Sequence, residues 1–252
     1  MAEWDIVAEN YDLLFNDRVE DLSFWVNLAK RFGSPVLEFA CGTGRITFPI
    51  ATEEIQITGI DISEKMLEKA EQKLTSESKD IQSRTQLLNA DSNSFNIPNK
   101  KFTAIFSPWG FPPVTDKQQF DCLKSVKEHL LPHGYFVVDI RNAKEPTKDW
   151  SMYEVEEFKS FPDNGFTLVR QAYLKGSAKT KIGHIIFFLD KIDDDGTMKR
   201  FISERDQKIY TKTDMEDLLT QNGLKIVEIY GNYNFDPYNT DSERIIFISQ
   251  VI

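Results

Sequence analysis

Apolar residues in the first part of the chain come in short continuous runs, separated by stretches where they are spread out. The runs are "PVLEFA", "QITGID", "TQLLNA", "FTAIFS" and "YFVVDI". Each has strand length and little polar interruption, as in parallel strands covered by helices. Between them the spacing is helical. Ser63 caps a predicted helix whose apolar side is Met66, Leu67, Ala70 and Leu74. Phe120, Leu123, Val126 and Leu130 make a second stripe, which stops near Pro132 and Gly134. Five strands alternating with helices predict a doubly wound α/β sheet.

From Arg141 to Tyr210 the pattern changes. "MYEVEEF", "FTLVRQAYL", "KIGHIIFFLDKI" and "MKRFISERDQKIY" are long aromatic and β-branched segments, and "DDDG" between the last two is a hairpin turn. This block predicts antiparallel strands inserted into the core. Helical spacing then returns, with Thr213 and Glu216 as a capping box, Met215, Leu218 and Leu219 as the buried side, and Gly223 as the stop. "LKIVEIYG" and "RIIFISQVI" add two strands, for seven in all. The expected division is a core of residues 1–140 and 211–252 with an inserted β subdomain of residues 141–210.

Composition narrows the class. The 252 residues are 40% hydrophobic, enough for a packed core, and no apolar run approaches the roughly 20 residues that cross a bilayer. The acidic start "MAEWDIVAENYD" is unlike a signal peptide, so the expectation is a cytoplasmic protein with no membrane partner. Two cysteines, Cys41 and Cys122, fit a reducing compartment, and no Cys/His spacing predicts a metal. A net charge of −10 repels nucleic-acid backbone, so no DNA partner is expected.

The chemistry concentrates at "VLEFACGTGRIT". A glycine loop between strand and helix, at the carboxyl edge of a parallel sheet, is where open α/β folds bind ligands. A dinucleotide loop places a third small residue where this chain has Thr47, and a triphosphate loop needs a lysine that does not follow Gly44. Glu38, just before the loop, would repel a pyrophosphate and attract an ammonium group. Asp61 ends the second strand, placed to accept from ribose hydroxyls, and Asp91 follows the third, placed to accept from an adenine amino group. Three acids at three strand ends describe a site for a nucleoside with a cationic tail.

"VLEFACGTGRIT", "ITGIDIS", "NADSNSF", "FTAIFS" and "LPHGYFVVDIRN" together resemble the ordered motifs of class I S-adenosylmethionine-dependent methyltransferases. "SERDQKIYTKTDMEDLLTQNGLKIVEIYGNY" is similar to the closing helix and strands of bacterial small-molecule members. The insertion after strand five is similar in layout to that of amino-sugar and glycine N-methyltransferases. The resemblance implies the seven-stranded Rossmann-like methyltransferase fold and S-adenosyl-L-methionine as cofactor. It implies that Glu38 faces the methionine ammonium, that Gly42 and Gly44 let the backbone approach, and that Asp61 holds the ribose. Asp91 and Ser92 would contact the adenine and Met66 would pack on it, with Ala40, Ile62 and Phe106 completing the cofactor contacts.

The acceptor is less defined. Nucleobase amine methyltransferases carry Asn/Asp-Pro-Pro-Tyr/Phe after strand four, whereas this chain has Ser107, Pro108, Trp109, Gly110 and Phe111. Candidates on the acceptor side are Trp109, Arg141 just past strand five, His184 on the insertion, and Tyr11, which the resemblance puts near the reactive end of the cofactor. The expected activity is methyl transfer to a small molecule, amine ahead of hydroxyl. Methylation of a tRNA or protein and a non-catalytic regulatory subunit are the alternatives, and oligomeric state is not readable.

Overall fold

The computed structural model describes Trp4 and residues 7–252. A short 3-10 turn, Ala8–Asn10, leads into α1 (Tyr11–Phe15) and then α2 (Leu22–Phe32). The core follows as β1 (Val36–Phe39), α3 (Thr47–Thr52), β2 (Ile57–Asp61), α4 (Glu64–Ser76), α5 (Lys79–Arg84), β3 (Thr85–Asn89), β4 (Phe102–Ser107), α6 (Asp116–His129) and β5 (Leu130–Arg141). The insertion is β6 (Trp150–Phe161), β7 (Phe166–Ser177), β8 (Ile182–Asp193) and β9 (Met198–Lys208). The chain closes with α7 (Lys212–Gln221), β10 (Leu224–Tyr230) and β11 (Arg244–Val251).

Seven strands form one sheet in the order β3-β2-β1-β4-β5-β11-β10, the first five parallel and β11 antiparallel to both neighbours. The order reverses between β1 and β4, the switch point where such sheets bind ligands at their carboxyl ends. Alternate strand residues feed two cores. Val36, Ala104, Phe106, Val137, Ile246 and Ile248 pack with Phe24, Trp25, Leu28 and Ala29 of α2 on one face. Leu37, Phe39, Ile105, Phe136, Val138 and Phe247 pack with Cys122, Leu123, Val126, Met215 and Leu219 of α6 and α7 on the other. This is the doubly wound arrangement that the strand–helix alternation predicts.

β6 to β9 make a separate antiparallel sheet in sequence order, and the β8–β9 turn places Gly196 at φ +83 where "DDDG" predicts a hairpin. The chain divides into two units. One holds the stretch up to Asp17 and Glu145–Ile209; the other holds Arg18–Lys144 and Tyr210–Ile252.

Three local expectations are corrected. Phe120 is 58% exposed rather than buried, because α6 turns Gln119, Cys122, Val126 and His129 inward and Phe120 sits about 200° from Cys122 around the helix. Leu130 belongs to β5 and not to that stripe: the helix ends at His129, whose Nδ1 meets the Ser125 carbonyl (2.8 Å) while Nε2 accepts from Ile97 N–H (2.9 Å). The last helix starts two residues early, capped by Thr211 with Asp214 and not by Thr213 with Glu216. In "TKTDME" two capping boxes overlap, and the earlier one leaves Thr213 exposed inside the helix.

Candidate active site

Between β1 and α3 the backbone is left-handed at Ala40 (φ +50), Gly42 (φ +57) and Gly44 (φ +85), which coils the loop tightly at the carboxyl end of the sheet. Ala40 has a side chain, so this conformation costs it about 1–2 kcal/mol, the kind of strain that collects at functional sites. At Gly44 a Cβ would lie 2.4 Å from the Phe48 ring, so the packing of α3 itself requires glycine there. Gly42 has a different task. Its N–H donates to Asp61 Oδ2 (2.8 Å), while Ser63 N–H donates to Oδ1 (2.8 Å), so one carboxylate ties the loop after β1 to the loop after β2.

Glu38 is buried beneath the loop, on the same face of β1 as Val36. Thr47 Oγ1 donates to its Oε2 at 2.5 Å. Burial pushes the Glu38 carboxyl up to about 8; the Thr47 hydroxyl and the Arg45 charge pull it back, and Asp21 and Asp61 push it further up. Arg45 is itself committed, forking onto both oxygens of the fully buried Asp21 (2.6 and 2.8 Å) and donating to the Arg18 carbonyl (2.7 Å). Arg45 is thereby spent on Asp21, and Glu38, held neutral by burial, would be ionised by an added cation.

Further along the edge, the Asn89 amide holds the carbonyls of Asp61 and Ile62 at 3.1 Å each. Ile62 leaves an apolar side chain 54% exposed beside Asp61. Asp91 is exposed and accepts from Asn93 N–H (2.8 Å) in a local turn, with Ser92 half-buried next to it. Met66 and Phe106 differ from the rest. Both side chains are buried, and the Phe106 ring packs on those of Trp25 and Phe32, so neither offers a face to a ligand.

After β4, Trp109 takes φ +61 and is fastened twice: its indole N–H donates to Asp21 Oδ2 (2.7 Å) and its backbone N–H to Asp139 Oδ2 (3.2 Å). Arg18 and Arg45 each lie 5.0 Å from its ring centre. Asp139 is fully buried, receives a forked ion pair from Arg244 (2.5 and 2.8 Å) and accepts from Tyr233 (2.7 Å). Arg141, two residues on, is exposed with no ion pair among the described residues. The other two candidates lie in the unit with the inserted sheet. Tyr11 packs on Trp4 and Phe15. His184 is exposed beside Asp206 (2.9 Å) and Glu204 (3.4 Å), and the hydrogen bond to Asp206 raises its imidazole above the usual range.

Sequence reasoning misses the Thr47 hydroxyl, the Asn89 amide and the Asp21–Arg45 fork. Thr47 carries a signal, a hydroxyl in the position a dinucleotide loop reserves for a small residue. Asp21 carries none, being 24 residues from the arginine it binds.

Residues 36–134, which carry the loop, Glu38 in β1, Asp61 at the end of β2 and Asp91 after β3, match a methyltransferase domain. The Bacillus subtilis protein YqeM, named as a methyltransferase, is 23% identical over 96% of this chain and 95% of its own. Among solved structures, a S-adenosylmethionine-dependent methyltransferase from Clostridium acetobutylicum superposes with a TM-score of 0.74, covering 98% of each chain at 21% identity. The sugar N-methyltransferase KedS8 from Streptoalloteichus does so with a TM-score of 0.70, covering 96% of this chain and 92% of its own at 19% identity. At those identities the two structures establish the fold, and the domain match falls on the segment that bears the site. The segment that bears the site is thus a match to a methyltransferase domain, in a chain with the fold of S-adenosylmethionine-dependent methyltransferases.

Proposed function

We propose that the carboxyl ends of β1, β2 and β3 hold S-adenosylmethionine and that the enzyme methylates a small-molecule acceptor, an amine ahead of a hydroxyl. The observation that carries this reading is a buried Glu38 under a loop whose Gly42 is fastened to Asp61. The donor set fits the cofactor: Glu38 takes the ammonium group, Asp61 takes the ribose hydroxyls, and the bare Ile62 side chain gives the adenine an apolar wall. Asp91 and Ser92 supply polar groups at the base. When bound, the cofactor supplies an electrophilic methyl group.

The residues of the chain then have one main task, alignment, since an in-line displacement gains most from positioning the nucleophile. An amine has only to arrive neutral, so no dedicated base is required. Trp109, locked by Asp21 and Asp139, fixes the loop after β4. Arg141, exposed past β5, is placed to fork onto an acidic group of the acceptor. KedS8, of the same fold, is a sugar N-methyltransferase, which supports the amine.

Calorimetry of Asp61→Ala tests the cofactor half. At least a tenfold loss of S-adenosylmethionine affinity is expected with the far-UV spectrum retained, and unchanged affinity removes Asp61 from the site. A screen of radiolabelled methyl transfer over amine, hydroxyl and thiol metabolites tests the acceptor half; label appearing only on hydroxyls or thiols refutes the amine.

A further inference from the structure

The inserted sheet has two apolar faces. Register across β7 and β8 puts Ala172, Ile185, Phe187 and Leu189 on one of them, and all four are buried. The opposite face is built from cross-strand rows: Tyr153, Tyr173, Ile186 and Glu204 in one, Val155, Gln171, Phe188 and Ile202 in the next, Phe158, Val169, Asp190 and Arg200 beyond. Here Tyr153, Val155, Phe158, Tyr173, Met198 and Ile202 stand 37% to 68% exposed. Single exposed apolar residues are ordinary, but six on one continuous sheet face are not, and a patch of that kind marks a place where something docks.

We propose that this face is the dimer interface, on which a second copy of the chain packs its own identical face. Charge selects this occupant. The charges on the face balance: Asp190, Glu204 and Asp206 stand against Lys175, Arg200 and Lys208, with Arg200 on Asp190 (2.6 Å) and His184 between Asp206 (2.9 Å) and Glu204 (3.4 Å). The face therefore offers no basic field to an anionic lipid or a nucleic acid, and no net charge to an ionic protein partner, while a copy of itself meets it without repulsion. Area agrees. Strands of 11 or 12 residues are about 35–40 Å long and four of them span about 15–19 Å, or roughly 600–700 Å² for each partner. Two such faces clear the ~1,000 Å² that a specific interface requires. A two-fold axis brings one patch onto itself, so no second surface is needed. Two sheets stacked this way lie about 10 Å apart, the spacing of a β-sandwich filled by side chains such as Phe158 and Tyr153.

Sedimentation velocity on the full chain at micromolar concentration is expected to give twice the monomer mass. The double variant Val155→Glu with Ile202→Glu, which sets four carboxylates into the interface, is expected to run as a folded monomer with an unchanged far-UV spectrum. A monomeric wild type, or a double variant that stays dimeric, overturns the proposal. If the double variant does not fold, cross-linking decides. Cys41 and Cys122 are buried, so Val155→Cys provides a lone reactive thiol. A bismaleimide is expected to give covalent dimers with Val155→Cys and none with Val227→Cys on β10; no dimers from Val155→Cys overturns the proposal. Co-flotation of a monomeric wild type with phosphatidylcholine vesicles assigns the face to lipid and overturns it as well.

Discussion

Glu38 joins two properties that oppose each other in the free protein: it is buried without a countercharge of its own, and it belongs to a site that favours a cation. Its carboxyl, raised to about 8 against an ordinary 4.5, is protonated in the folded protein at neutral pH. Between those two values the native state holds a proton that the unfolded chain has lost. The stabilisation is therefore full below pH 4.5 and drains away as pH rises to about 8, by a few kcal/mol in all. Glu38→Gln is uncharged throughout, so urea midpoints of wild type and variant should diverge as pH is raised from 5 to 8, with the wild type losing ground. Parallel curves would mean that Glu38 is ionised in the apo protein. A cationic ligand reverses the balance, because it stabilises the carboxylate; binding near pH 7 should release a proton, visible as a dependence of the calorimetric enthalpy on buffer, and Glu38→Gln should abolish it. At this scale the places of Glu38 in β1 and Asp61 at the end of β2 are legible in the sequence, because each lies in a short apolar run of strand length. The burial of Met66 and Phe106 is not, since a one-dimensional motif marks a position near the ligand without saying which way its side chain points.

Among the elements, legibility follows the strength of local signals. β4 coincides with "FTAIFS" and α4 begins where Ser63 caps it, its hydroxyl accepting from Met66 N–H. α2 shows the opposite case. Its buried side, Phe24, Trp25, Leu28 and Ala29, is read correctly only once Tyr230, Tyr233 and Phe235 from the far end of the chain are seen packing around Phe24. α7 shows how a correct motif yields a wrong boundary. Thr211 accepts from Asp214 N–H and Thr211 N–H donates to the Asp214 carboxylate, whereas Thr213 is exposed two residues in. Thr211→Ala should then cost about 1 kcal/mol, the usual worth of a cap, and Thr213→Ala should stay within about 0.5 kcal/mol of wild type. Urea denaturation of the two variants checks this. Equal losses, or a larger loss at Thr213, would place the helix start where the sequence alone suggests it.

For the whole molecule, the alternation of runs foretells a parallel sheet and the long aromatic segments foretell a second, antiparallel one, because both are patterns of period and length. Strand order is not in those patterns; it depends on which strands pair, as when β11 slips between β5 and β10. The grouping of the stretch up to Asp17 with the inserted strands is hidden for the same reason, since it joins segments more than a hundred residues apart. Net charge, by contrast, is fully legible and acts on the molecule as a whole. With 40 acidic and 30 basic residues the enzyme carries −10, and the acids around the glycine loop add a local field of the same sign. S-adenosylmethionine bears one net positive charge and its demethylated product bears none, although the two share nearly every contact. The field therefore separates them: it attracts the cofactor and is indifferent to the product. Because the screening length falls from about 30 Å at 0.01 M salt to about 8 Å at 0.15 M, raising salt over that range should weaken cofactor binding several-fold and leave the product almost unchanged. Titrating both ligands at the two salt concentrations measures the ratio directly. A ratio that does not move would mean that discrimination rests on contacts at Glu38 and Asp61 alone, and that the acidic surface serves solubility and not the choice of ligand.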